Sequence, residues 1–345
     1  MRQRSWLKKL LIRLTLLMVV MSVAVGSYAW YWLHQPIANL SDNHVYEIAR
    51  GATSTSIARD LHEQGWLQYP QLWCAWARLQ HQTANIKAGE YALHANMTPD
   101  ELLHLFTSGV VVLHGITFIE GSTFDDMRQV LQQHANIQHT LEKITDAEVM
   151  RRLQLVNTHP EGQFFPDTYE FARGTTDMEI LSIAQRRMQH ELQSAWDSRS
   201  IDVPLMSAYE ALIMASIIEK ESALAADRPK IAGVFFERLR IGMRLQTDPT
   251  VIYGMGDSYD GNIRKDDLQR DTPYNTYTRS GLPPTPICLP GAGALQAATH
   301  PLRTGALYFM ATGQSDGAHY FSRTLEEHNM AIQRYLQTIR AHRNQ

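Results

Sequence analysis

ALIMASIIEKES, residues 211–222, is the stretch on which the reading of this chain turns. From Ala211 to Ile218 only Ser216 is polar, and two carboxylates follow at once, Glu219 and Glu221. Just upstream, Ser207-Ala208-Tyr209-Glu210 has the form of a capping box, in which Ser and Glu satisfy free N–H groups of a first helical turn. A helix apolar nearly all round is a buried helix, so this segment is predicted to cross a core and end in acid. Residues two apart on a helix point about 200° from each other. Glu219 continues the line of Leu212, Ala215 and Ser216, whereas Glu221 continues that of Met214, Ile217 and Ile218. Burial and the partial negative charge of a helix C-terminus both raise a carboxyl pKa. A carboxyl group kept protonated near neutral pH suits a general acid. The competing reading is two solvated carboxylates, one neutralised by Lys220 or Arg228. Periodicity does not choose between Glu219 and Glu221.

Downstream, Asp227 is predicted to cap a second helix with Pro229 in its first turn, Ile231, Val234, Phe235 and Leu239 inside, and Gly242 as its stop. Residues 244–291 then carry Pro273, Pro283, Pro284, Pro286 and Pro290. They read as a long structureless loop, a form usually kept for binding or catalysis. Gln246, Asp248, Tyr253, Asn275 and Tyr277 in it are candidate ligands for a polar substrate, because amide, carboxylate and phenol groups donate and accept hydrogen bonds. The competing role for each is to hold the loop itself. Residues 306–311 and 319–323 look like a strand pair around Gln314-Ser315-Asp316-Gly317. Thr324 and Glu327 then cap a last amphipathic helix. Upstream, residues 161–169 (EGQFFPDTY) form a turn rich in acids and aromatics.

The chain has 345 residues, 32 basic and 35 acidic. Arg2, Arg4, Lys8, Lys9 and Arg13 stand in the first thirteen residues, which hold no acid; the remainder has 27 basic residues against 35 acidic ones, a net of −8. That balance argues against a nucleic-acid partner, which requires a basic face. Residues 14–33 (LTLLMVVMSVAVGSYAWYWL) are uncharged, long enough to span a ~30 Å hydrocarbon core, and end in interfacial aromatics. With the basic segment 1–13 on the cytoplasmic side, the reading is an uncleaved single-pass anchor, the rest exported through a bacterial inner membrane into the periplasm. The alternative is a signal peptide cut near Ser27-Tyr28-Ala29. Residues 34–44 read as a linker. Cys74 and Cys288 are the only cysteines, and nothing in the sequence pairs them. The histidines lack metal-binding spacing, and no metal or other cofactor is expected.

Residues 45–112 read as a strand, two helices, a strand and a short helix opened by the Thr98-Pro99-Asp100-Glu101 box. Within them Gly51 to Ala58 (GATSTSIA) resembles the G-x-T-x-x-S-I-A signature of LysM modules, which bind N-acetylglucosamine-containing glycans. Trp66, Trp73 and Trp76 offer stacking faces or, at helical spacing, simple core. The whole is read as α+β: one transmembrane helix, a small LysM-like βααβ-type module, and a larger α+β catalytic domain over 113–345 with its proline-rich loop.

Five motifs in order carry a wider resemblance: EGQFFPDTY (161–169), ASIIEKES (215–222), RLRIGMRLQTDPTVIYGMG (238–256), YNTYTRSGLPPTPI (274–287) and ALYFMA (306–311). Together they make the chain similar to endolytic murein transglycosylases of the MltG/YceG-like family. The resemblance implies that Glu219, first of the E-K-E pair, is the catalytic acid and that Glu221 has a structural or secondary role. It also implies cleavage of the MurNAc–GlcNAc bond within nascent peptidoglycan strands, 1,6-anhydro ends, termination of elongation, and an association with penicillin-binding protein synthases. Two departures stand out. Cys288-Leu289 precedes Pro290-Gly291 where the family often has asparagine, and Ile119 precedes Glu120-Gly121 where proline is common. Competing functions are a non-catalytic peptidoglycan-binding anchor or division scaffold, and a muramidase using Glu219 with Asp248.

Overall fold

A computed structural model describes residues 2–222, 224–314 and 316–343. It divides into two compact units, one comprising residues 1–114 with 171–174, the other residues 115–170 with 175–345.

The first unit opens with α1 (Arg2–Leu33), whose stretch Lys8–Leu33 has a mean hydropathy of 2.2 and is long and apolar enough to cross a membrane. Its apolar side chains, Leu11 to Val25, are exposed. There follow β1 (His44–Ile48), α2 (Ser54–Glu63), α3 (Pro70–Leu79), β2 (Gly89–Leu93) and α4 (Pro99–Ser108). β1 and β2 pair antiparallel with Tyr46 opposite Tyr91. Alternation in β1 sends Tyr46 and Ile48 inward, where they meet Ile57 and Leu61 of α2, Trp73 of α3 and Phe106 of α4. Thr98 makes the expected reciprocal capping box with Glu101 at the start of α4, and Thr53 makes another with Ser56 at the start of α2. Gly109 ends α4 at φ 79°, a left-handed position where a Cβ is disfavoured. Trp66 and Trp73 are core, and Trp73 Nε1 donates to Pro99 O at 2.8 Å. Cys74 is buried with a free thiol.

The boundary between the units falls within β3 (Leu113–Thr117) and β4 (Thr168–Ala172), which pair. Between them lie α5 (Phe124–Gln133) and α6 (Asp146–Arg152). The second unit continues with α7 (Asp177–Asp197), α8 (Ala208–Glu221), α9 (Arg228–Arg240), α10 (Asp248–Met255), α11 (Lys265–Gln269), α12 (Ala292–Thr299), the hairpin β5 (Tyr308–Ala311) and β6 (His319–Ser322), and α13 (Leu325–Arg343). Ser315, in the turn expected between the last two strands, lies outside the described residues.

The helix read from ALIMASIIEKES is α8. Ser207 caps it by accepting from Glu210 N, and Ala211 to Ile218 are all buried between α7, α9, α10 and α12. α9 passes so close to the chain after α12 that a Cβ on Gly233 would stand 2.2 Å from Leu302 O.

Two expectations change. Residues 244–291 are not structureless, because α10 and α11 fall inside them. Asp248-Pro249 is itself a helix opening, with an acid in the first turn and proline where no N–H is needed; the prolines that argue against regular structure come later. Asp227 also does not cap α9 with its side chain. Its carboxylate accepts instead from His319 N at 2.9 Å and His319 Nδ1 at 3.1 Å, and pairs with Lys230 at 3.0 Å, tying the start of α9 to β6.

Candidate active site

Ser216, the lone polar side chain in the apolar run, builds the wall of the site. Its Oγ donates to Ile213 O within the helix and accepts from Ile287 N at 3.0 Å. Its carbonyl accepts from Cys288 Sγ at 3.2 Å. The proline-rich segment is thereby held along α8, and Leu289 and Gly291 are brought to the helix end. Leu289 in turn exchanges backbone bonds with the 121–122 turn, donating to Ser122 O at 2.8 Å and accepting from Gly121 N at 2.9 Å. Cys288 is fully buried, and burial pushes its thiol well up; it is free, as is Cys74.

Glu219 emerges at this junction with its side chain 4% exposed. Oε1 accepts from Arg228 Nη2 at 2.5 Å and Oε2 from Gly291 N at 2.9 Å. Arg228 also donates through Nε to Ser222 O at 3.1 Å, closing the C-terminus of α8. Glu120, half-exposed, comes within 4.0 Å of the same guanidinium and lies against Gly291, where an added Cβ would stand 1.9 Å from Oε1. Burial raises the Glu219 pKa, the Gly291 N–H and Arg228 pull it down, and the Glu120 charge pushes it up; the net direction is upward. Such a carboxyl group has support for both protonation states. The ion pair with Arg228 and the buried, raised carboxyl are features of one group rather than alternatives.

Glu221 points elsewhere, accepting from Thr247 Oγ1. Burial raises its pKa to about 7, opposed by the Thr247 hydroxyl. Around it gather three of the five candidate substrate ligands. Gln246 is exposed with φ 51°, left-handed backbone that is uncommon outside glycine. Asp248 is exposed and accepts from Tyr277 Oη at 2.5 Å. Tyr253, the fourth, donates at 3.1 Å to Glu161, a carboxyl raised by burial to about 7 that also accepts from Phe124 N at 3.0 Å. Asn275, the fifth, is 1% exposed. Its Nδ2 donates to Asp267 O, Leu268 O and Arg270 O, and its Oδ1 accepts from Tyr277 N. Its amide is engaged in folding the loop, which removes it as a free sugar contact.

Sequence reasoning missed Glu120, Glu161 and Gly291 as site residues, and met Arg228 only as a neutraliser. The signal for Arg228 was its place one residue after Asp227 at a helix start, which aims it at the end of the preceding helix. Glu120 and Gly291 carried no local signal; long-range pairing of 121–122 with residue 289 delivers them.

The YceG-like family profile matches residues 46–334. An endolytic murein transglycosylase of Bacillus subtilis is 34% identical over 270 residues, covering 73% of this chain and 74% of the relative. One from Streptococcus pneumoniae is 27% identical over 317 residues, covering 83% of this chain; the match spans only 57% of that longer protein. A crystal structure of a yceG-like protein from Listeria monocytogenes superposes with a TM-score of 0.53 at 29% identity, covering 84% of this chain and 99% of that one.

Proposed function

The chain belongs to the YceG-like family, and from that premise we propose that it is a lytic transglycosylase acting on peptidoglycan. The observation that carries the proposal is the setting of Glu219. A desolvated carboxyl group receives a guanidinium on one oxygen and a backbone N–H on the other. The reaction asks one residue to give a proton and then to take one back. Burial favours the acid that gives; Arg228 and Gly291 favour the anion that receives.

Glu219 protonates the oxygen joining MurNAc C1 to GlcNAc, and that bond breaks as positive charge develops on the muramic ring. The resulting carboxylate takes the proton of the muramic 6-hydroxyl while O6 closes on C1. A 1,6-anhydro end forms, no water is consumed, and Glu219 is again protonated. Arg228 and Gly291 N hold the carboxylate between the two transfers. Gln246, Asp248, Tyr253 and Tyr277 line the glycan path, and Asn275 shapes the loop that presents two of them. The first unit, with its βααβ order and LysM-like signature, adds glycan affinity and no chemistry. α1 anchors the chain in a bacterial inner membrane with the catalytic unit outside the cytoplasm. Cleavage within nascent strands ends their elongation, which makes strand-lengthening synthases the expected partner class.

Mass spectrometry of fragments released from purified glycan strands by the full chain tests this. Anhydro-muramic ends are expected. Reducing ends would mean hydrolysis and a muramidase, and no release would leave a binding protein.

A further inference from the structure

α2 and α3 of the first unit enclose a cleft of about 560 Å³ lined by Arg59, His62, Arg78, Gln68, Gln71 and Cys74, with no acid in its wall. Among the described residues neither Arg59 nor Arg78 has an ion-pair partner, and both are exposed. His62 Nδ1 donates to Leu67 O at 2.6 Å, which leaves Nε2 as its free ring nitrogen. Two unpaired guanidinium groups, a histidine and two amides around one concavity are chemistry for a phosphate. Pro70 and Gln71 belong to the first turn of α3, which no side chain caps and whose dipole adds to the field.

The position of α3 on α1 says where that phosphate would come from. Tyr69, just before α3, meets Tyr28 (Oη to Oη 3.1 Å) and Trp32, with ring centroids 5.5 Å apart. Trp76 meets Trp30 edge-on at 6.3 Å. Tyr69 and Trp76 stand ~10 Å apart along α3, whereas Tyr28 and Trp30 are only ~3 Å apart along α1. α3 therefore runs across α1 rather than beside it. Lys8–Leu33 is 26 residues long, ~39 Å and so ~9 Å more than a ~30 Å hydrocarbon core. If α1 spans a bilayer with Lys8 and Lys9 at the cytoplasmic edge, Trp30 and Trp32 reach the far interface, and α3, which packs on them, lies there too. Gln68 lines both this cleft and the hollow beside Tyr28 and Trp32.

We propose that the α2–α3 cleft binds the headgroup phosphate of an anionic membrane lipid through Arg59, Arg78 and His62, fixing the first unit flat on the membrane. The proposal rests on the reading of α1 as an anchor. It assigns the cleft to lipid rather than to glycan, whose repeating sugars lack phosphate.

The test is backbone hydrogen exchange over residues 54–79 of the full chain in nanodiscs of phosphatidylcholine, with or without phosphatidylglycerol. Co-elution with the discs reports the anchor separately. Exchange is expected to slow by about threefold or more in the anionic discs. R59Q/R78Q should abolish that slowing while its circular dichroism is unchanged, since both side chains are exposed and unpaired. Equal exchange in both discs, or slowing that survives in R59Q/R78Q, would overturn the proposal. Inorganic phosphate reproducing the effect in phosphatidylcholine discs would point to a free anion and overturn the lipid assignment. Failure to co-elute would remove the anchor and the lipid site with it, while leaving the catalytic reading intact.

Discussion

Two carboxyl groups, two residues apart on α8, live in different chemical worlds. Glu219 faces a guanidinium, a backbone N–H and a second carboxylate, Glu120. Glu221 accepts from a neutral hydroxyl and is raised to about 7 chiefly by burial, with the Asp248 charge adding to the rise and Thr247 and Arg238 opposing it. Both are shifted upward, so the shift does not separate acid from scaffold. What separates them is company. Glu219 has partners that stabilise its anion as well as an environment that stabilises its acid, so its proton can leave and return. Glu221 has a wall and one donor, which holds a neutral acid in place. The Thr247 it grips adjoins Gln246 and Asp248, so Glu221 ties that segment to α8, whereas Glu219 is the residue proposed to meet the reacting atoms.

The largest effect that would break this contrast lies at Glu219. Glu219→Gln keeps the volume and, through its single amide oxygen, one of the two acceptor contacts, but it has no transferable proton. A loss of ~10²–10⁴-fold in anhydro product is expected, with an unchanged melting curve. Near-native yield from the folded variant would remove Glu219 from the mechanism.

Next comes Arg228. Arg228→Gln takes away the cation that lowers the Glu219 pKa and the bond to Ser222 O. Activity should fall by about tenfold or more as the carboxyl loses its fixed orientation. The alkaline limb of the pH–activity profile, where the acid loses its proton, should move to higher pH. A limb that stays in place would mean that Arg228 serves the helix end and not the acid.

Glu120 supplies a smaller test of opposite sign. Its charge raises the Glu219 pKa, so Glu120→Gln should shift the alkaline limb to lower pH. Gly291→Ala should do the same by another route: φ there is −83° and tolerates alanine, but the new Cβ overlaps the Glu120 carboxylate and must push it aside. Agreement between the two variants would sharpen the assignment, whereas shifts in opposite directions would break it.

How much of this contrast was legible in the sequence follows from range. Capping boxes, the apolar run and the 200° separation of the two glutamates are local, and they give α8 and the divergence of its acids directly. The βααβ order was local too. Arg228 was visible but ambiguous. Gly291 reaches Glu219 across 72 positions, and Glu120 is carried in by a backbone pairing with Leu289; no periodicity encodes such contacts. Asn275 shows the reverse error. Polar loop residues look like ligands, yet three carbonyls of its own loop claim this amide. α10 was lost because proline density outweighed the helix-start signal at Asp248-Pro249.

The smallest effect on chemistry, and the sharpest on stability, is expected at Glu221. Glu221→Gln removes a carboxyl directed at Thr247 and away from the partners of Glu219, and the amide oxygen can still accept from Thr247. Anhydro product should stay within a few-fold of native. Stability should change its pH dependence instead. The unfolded chain ionises Glu221 near its ordinary value, ~4.3, whereas the folded protein keeps the proton until about pH 7. Between those values the folded state binds more protons, so raising pH lowers stability, by on the order of 1 kcal/mol per pH unit at most. The contribution is fully present below the unfolded pKa and gone above the folded one. Glu221→Gln should flatten that part of the stability curve. Glu161, raised to about 7 by the same cause, retains its own slope, so the curve should lose part of its fall and not all of it. Denaturant melts from pH 4.5 to 7.5 measure this. An unchanged slope would mean that Glu221 is already ionised in the folded protein. A loss of activity equal to that of Glu219→Gln would mean that the two acids act as one electrostatic unit and that their separation around the helix does not divide their roles.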